Sequence, residues 1–278
     1  MAPVSLSEAD PVVPEDVERH IFELAAFMNP ELMSSLLRVA RRVKIWIEPI
    51  LYRALYNGSA ACGTFYSPPL IYVLRVRPAT FFREHVRHVW LTGHDTDLEI
   101  LQLISVCAGT TDLKISFPTS ARTLLALAAA MPLQRLAGYL PYLLEPPAPA
   151  LAHRAFARLT HLYFAGAAHD AGWAAWAGAG LAQMPALTHF AFRHRAVPDQ
   201  VAHGALLNCP ALRVLALLHA TRDELEDARP LRAWLVADAR FVMLVVPDDD
   251  ADWVAGARGG EDFWDAADAV VRSRPQVD

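Results

Sequence analysis

The sequence predicts an α/β chain: a small N-terminal helical module, then a short solenoid of parallel strands and helices, closed by a C-terminal capping helix. Three observations lead to this. Apolar triplets at relative positions 1, 4 and 6 recur along the chain from Val86 onward. The first part of the chain has no such triplet and shows apolar residues at three- and four-residue spacing instead. The segment Glu261 to Arg272 carries Phe263, Trp264, Ala267, Val270 and Val271 at helical spacing behind an acidic first turn.

In the N-terminal module, Val13, Val17, Ile21 and Leu24 form one helical stripe after Pro14. A second predicted helix starts with Asn29 as N-cap and Pro30 as first residue, and carries Leu32, Leu36, Val39, Val43 and Ile47. Pro49 ends or kinks it, and "ILYRAL" reads as a last short amphipathic piece. Arg38, Arg41, Arg42, Lys44 and Arg53 crowd this stretch against one acid, Glu48. They fall between the apolar positions, which makes them the wet side of a docking helix rather than a nucleic-acid handle. So few helices bury too little surface to stand alone, so the module needs a partner surface.

The repeats are clearest in "MPALTHFAF" and "CPALRVLAL", and their middle residues are Val89, Leu113, Leu136, Leu162, Phe190 and Leu215, with a degenerate last copy in Arg240–Val246. Between triplets, Thr96–Cys107, Thr119–Met131 and Pro198–Cys209 read as helices. Alternation along each strand sends positions 4 and 6 into a core and positions 3, 5 and 7 to the opposite face. Stacked repeats would then present one extended concave surface bearing His88, Trp90, Lys114, Arg135, Tyr139, His161, Tyr163, His189 and Arg193. That face is either the ordinary wet side of an arch or a binding surface. Its tryptophan, tyrosines and arginines, the residue types enriched at hot spots, favour binding. The predicted organisation is a head at 1–57, a linker with a helix around Pro69–Arg77 at 58–80, repeats at 81–247, and an acidic loop plus cap helix at 248–278.

Two resemblances follow from these residues. The head resembles an F-box, the three-helix motif that docks on a Skp-type adaptor of cullin–RING ubiquitin ligases. Val13, Pro14, Asp16, Val17, Ile21 and Phe22 match its opening block. Val39, Ala40 and Arg41 match the middle one, and Glu48, Pro49, Leu51, Tyr52 and Arg53 the closing one. Ala40, Val43 and Tyr52 depart from the family's Cys, aromatic and Trp, with Trp46 placed to supply aromatic bulk. The triplet resembles the leucine-rich repeat, without its usual following Asn or Cys. The "ARRVKIWIEPILYR" form, with "FREHVRHVWL" and "GARGGEDFW", is similar to the F-box-like proteins of mushroom-forming fungi. The resemblance implies a substrate-recognition subunit of a ubiquitin ligase. Its adaptor-binding residues would be Val13, Pro14, Val17, Ile21, Leu24, Leu36, Val39, Val43, Trp46, Pro49, Leu51 and Tyr52, and a protein substrate would lie on the concave set. The alternative is a non-catalytic interaction scaffold with no link to a ligase.

Composition narrows the remaining classes. With 54% hydrophobic and 20% charged residues the chain can bury a sizeable core, and a net charge of −5 gives no global attraction to nucleic acid. Cys62, Cys107 and Cys209 lie far apart in no metal-ligand spacing, as expected for a reducing compartment, cytoplasmic or nuclear. No stretch reaches the ~20 clean apolar residues of a membrane span. Asp248, Asp249, Asp250 and Asp252 lack the alternation of a calcium loop and read as a solvated acidic loop. No phosphate-binding glycine loop or catalytic constellation stands out. The expectation is therefore no enzyme activity, no cofactor, no metal, no nucleic-acid partner and no membrane partner.

Overall fold

The computed structural model describes residues 13–56, 77–91, 102, 105–116, 125, 129–138, 154–165, 181–193 and 199–274. The chain divides into two compact units, one ending at Tyr52 and one beginning at Arg53.

The first unit is helical. α1 (Glu15–Met28) starts behind Pro14 with no side-chain cap, and Glu15, Asp16 and Glu18 in its first turn offset the helix dipole. A 3-10 turn at Pro30–Leu32 leads into α2 (Met33–Leu36), and α3 runs Arg41–Leu51. The single helix expected from Pro30 to Glu48 is thus broken, with Ala40 extended at φ −158° and ψ 159°. The break lets both pieces fold back on α1 and form a core of Ala26, Met33, Val43, Trp46 and Ile47, flanked by Phe22, Leu36, Ala40 and Leu51. Pro49 sits in the last turns of α3, where few backbone bonds remain to be lost.

The second unit is one parallel sheet of eight strands in chain order. β1 is Ala54–Tyr56, β2 His88–Leu91, β3 Asp112–Ile115, β4 Arg135–Gly138, β5 His161–Phe164, β6 His189–Arg193, β7 Val214–His219 and β8 Phe241–Val245. The register aligns Leu55, Val89, Leu113, Leu136, Leu162, Phe190, Leu215 and Phe241 in one row. These include every repeat centre read from the sequence. β1 was expected as the end of a helix, and the segment is instead a strand on the sheet edge. Its centre, Leu55, lies further from Val89 than any two neighbouring repeat centres lie from one another, which hides it from the period of the repeats.

α4 (Ala79–His85) precedes β2, α5 (Asp199–Asn208) precedes β7 as expected, and α6 (Arg222–Leu231) and α7 (Ala233–Val236) precede β8. The expected linker helix near Pro69 lies outside the described residues, as do most of the helices expected at Thr96–Cys107 and Thr119–Met131. β4 ends on a glycine because its backbone there takes a positive φ against β3. Gly138 has φ +140°, and a Cβ there would sit 2.0 Å from the carbonyl oxygen of Ile115.

The chain after β8 differs most from expectation. Asp248 accepts the Asp250 and Ala251 N–H groups and caps α8 (Asp249–Ala257), so the expected solvated acidic loop is a helix start. A turn through Gly259, at φ +85°, leads to α9 (Phe263–Arg272). Asp262 caps α9 in a reciprocal capping box with Asp265. These two helices do more than close the end of the sheet, where α9 packs on its last two strands, β7 and β8. They lie across one of its faces, where Phe263, Trp264 and Ala267 share a core with Ala137, Tyr163, Ala191, Ala216 and Val242.

Candidate functional site

Two surfaces carry the residues singled out from sequence, and they fare differently. On the head, Val17, Ile21 and Leu24 of α1 are 44%, 54% and 48% exposed, and Phe27 and Met28 continue the stripe. Pro14 and Val39 are also exposed, while Val13, Leu36, Pro49 and Leu51 are half-buried. Val43 and Trp46 are buried in the head's own core, with the Trp46 ring 6.4 Å from that of Phe22. Tyr52 is buried as well. These three cannot contribute to an outward docking face; they were expected there because core and docking positions share one helical period. Arg38, Arg41, Arg42, Lys44 and Arg53 are all exposed. Arg42 donates to both Glu18 carboxylate oxygens at 2.7 and 2.9 Å, which joins α3 to α1 at the surface.

The sheet face expected to be open is covered. Trp90, Lys114, Tyr163 and His189 are buried, and His88, Arg135, His161 and Arg193 are only partly accessible. Tyr139 lies outside the described residues. The cover is α8, α9 and the turn between them, and the contacts are specific. Lys114 Nζ donates to the Asp249 carbonyl at 2.9 Å and to Asp250 Oδ1 at 2.5 Å, with the Trp90 ring 4.4 Å away. Asp249 accepts the Tyr163 hydroxyl and an Arg193 N–H, both at 2.8 Å. Arg135 donates to Asp262 Oδ2 at 2.7 Å, and Trp253 Nε1 donates to Asp112 Oδ1 at 3.2 Å. The Trp264 ring meets those of His161 and His189 edge-on.

The electrostatics follow from this closure. Burial opposes ionisation of Asp249, but Lys114, the Tyr163 hydroxyl and Arg193 outweigh it and hold the carboxyl below its usual range. Burial pushes the Tyr163 phenol up, and the Asp249 charge adds to that. Asp252 lacks a comparable cation and is pushed up to about 6, mainly by burial, although its carboxylate accepts the Phe263 N–H. Burial also drives His161 down to about 2, helped by the charges of His189 and Arg135. The space left between Lys114, Arg135, His161, Asp252 and Trp264 is about 20 Å³, room for roughly one water and no ligand. Among the described residues no three His, Cys, Asp or Glu side chains come together to hold a metal ion.

The face is therefore already occupied, by this chain's own acidic segment. Asp249, Asp250, Trp253, Asp262, Trp264 and Asp268 are the residues that sequence reasoning did not connect with it. A signal was present: Lys114, Arg135 and Arg193 fall on one predicted face, and the last thirty residues concentrate acids without a stated partner.

No family model matches this chain. No curated protein matches it either. Among the described residues no helix is long and apolar enough to cross a membrane.

Proposed function

We propose that this chain is a non-catalytic substrate-recognition subunit of an SCF-type cullin–RING ubiquitin ligase, with an F-box-like head on a Skp-type adaptor and a leucine-rich-repeat-like sheet unit presenting a protein substrate. The observation that carries it is the exposed stripe Val17, Ile21, Leu24, Phe27 and Met28 on one helix of a very small unit. A contiguous apolar surface of this kind marks an interaction site. The head spends Val43, Trp46 and Ile47 on its own core, which leaves α1 and Val39 as the surface for the adaptor. In this reading the substrate does not use the face carrying Lys114 and Tyr163, because α8 and α9 fill it.

The test is co-purification of the full chain with a Skp-type adaptor. Ile21→Asp and Leu24→Asp, both at exposed positions, are expected to abolish capture while leaving the thermal melt unchanged. Arg41→Ala, on the basic side of α3, is expected to retain it. Capture of neither the wild type nor any variant, or equal capture of all of them, overturns the ligase reading.

A further inference from the structure

β8 is the last strand of the sheet, and its outer side faces no strand among the described residues. The ladder to β7 fixes which groups point outward. Leu215 N–H donates to the Arg240 carbonyl and Val246 N–H to the His219 carbonyl. Even-numbered residues from Arg240 to Val246 therefore turn their backbone groups toward β7, and Phe241, Met243 and Val245 turn theirs away. Arg274 covers the start of this edge by donating to the carbonyls of Asp238, Ala239 and Phe241. Among the described residues, the N–H and C=O of Met243 and of Val245 have no partner.

Sheet edges are usually blunted by charge, proline or a bulge. "FVMLV" has none of these, and Pro247 follows only after the open pair. A cleft of about 440 Å³ lies beside the strand, lined by Leu244, Val246, Phe263 and Ala266 and rimmed by Asp248, Asp252 and Glu261. That volume is within the ~300–1,000 Å³ typical of ligand clefts. Among the described residues no basic side chain lines it. Asp248 is held by the backbone of α8, whereas Glu261 stands exposed at the rim.

We infer that the outer edge of β8 binds an extended peptide segment carrying aliphatic and cationic residues on one face, which joins the sheet as a ninth strand. Its backbone pairs with Met243 and Val245. Because side chains alternate across a strand, every second one enters the apolar cleft above Leu244 and Val246. Cationic residues on that same face of the peptide reach the carboxylate rim, and the acidic lining excludes acidic segments. This is strand addition, in which main-chain bonds supply affinity and a pocket for alternate side chains supplies specificity. The inference stands on the sheet unit alone and does not depend on the ligase reading.

The experiment is fluorescence anisotropy of the full chain with fluorescein-labelled Lys-Thr-Val-Thr-Lys-Thr, which sets valine between two lysines on one face, and with Glu-Thr-Val-Thr-Glu-Thr as comparison. Saturable binding of the lysine peptide and none of the glutamate peptide is expected. Met243→Pro deletes one outward N–H without touching the β7 ladder, and the loss of that bond weakens binding by about tenfold. Glu261→Lys, at an exposed rim position, weakens it as well and flattens its salt dependence. Should Met243→Pro fail the thermal melt, Glu261→Lys decides alone. No saturable binding, equal binding of both peptides, or wild-type affinity in Glu261→Lys overturns the inference. So does sedimentation as a dimer that Met243→Pro dissociates, which assigns the edge to a second copy of this chain.

Discussion

The imidazoles of His161 and His189, on adjacent strands, stack with centroids 4.1 Å apart and planes 9° from parallel. Two charged rings would repel at that distance, and Trp264 closes over both. The pair is thus a neutral element of the packing between the sheet and α9. Asp268 lies 3.3 Å from His189 Nε2 and opposes the effect of burial there, but burial prevails and the His189 value is lowered too.

This pair sets an acid limit on stability. Unfolded histidine takes up a proton below about 6.5, whereas folded His161 resists protonation down to about 2. The unfolded state therefore binds more protons across that window, and stability falls as pH drops below 6.5. Urea midpoints measured at pH 7.5, 6 and 5 are expected to decline, and His161→Gln to decline less steeply. Parallel slopes in the two proteins would assign the acid limb to other groups.

Asp252 acts in the opposite sense. Its folded value of about 6 lies above the ordinary 3.8, so the folded state favours the protonated acid, and ionisation above pH 6 costs stability. Asp252→Asn keeps an oxygen for the Phe263 N–H and removes the charge. Its melting temperature is expected to exceed wild type at pH 7.5, with the gain shrinking as pH falls through 6 and vanishing near 3.8. A gain independent of pH would point to packing instead.

Lys114 is 1% exposed and holds two acidic residues of the covering segment. Lys114→Met fills similar volume but leaves Asp250 without its cation and removes the charge over Trp90. The loss is expected to fall below the ~3–5 kcal/mol of a fully buried pair, because the Asp250 side chain is 44% exposed. Equilibrium denaturation measures it. Intrinsic tryptophan fluorescence should shift red as Trp253 and Trp264 gain water.

Gly138→Ala places a methyl carbon against the Ile115 carbonyl and forces an unfavourable φ. Neither the β3 backbone nor a rotamer can relieve the clash, so destabilisation above about 3 kcal/mol is expected. Gly260→Ala is the comparison, since its added carbon would come no closer than 3.2 Å to any atom. If the two variants melt alike, close approach of strands at Gly138 is not a constraint.

The parallel sheet was legible because one physical demand, burial of positions 4 and 6 on every strand, recurs with each repeat. The rows running from Val89 to Phe241 and from Leu91 to Met243 restate that pattern in three dimensions. The fate of the opposite face was not legible. Trp90, Tyr163 and His161 alternate as solvent-facing residues would, and only long-range pairing reveals that Asp249 and Trp264 cover them. The same limit applies to the head. Val17 and Val43 share a helical period, and nothing local says that one faces out and the other in. β1 escaped notice for a third reason, the long span to its neighbour.

Lys114, Arg135, Tyr163 and Arg193 leave the ribosome well before the acids that hold them; Asp250 follows Lys114 by 136 residues. At translation rates of ~5–20 residues per second, the nascent sheet carries this face bare for several seconds. A premature stop codon ahead of Asp249 makes that state permanent. Nonsense or frameshift lesions that remove α8 and α9 are thus expected to damage strands β3 to β6, not merely to delete two helices.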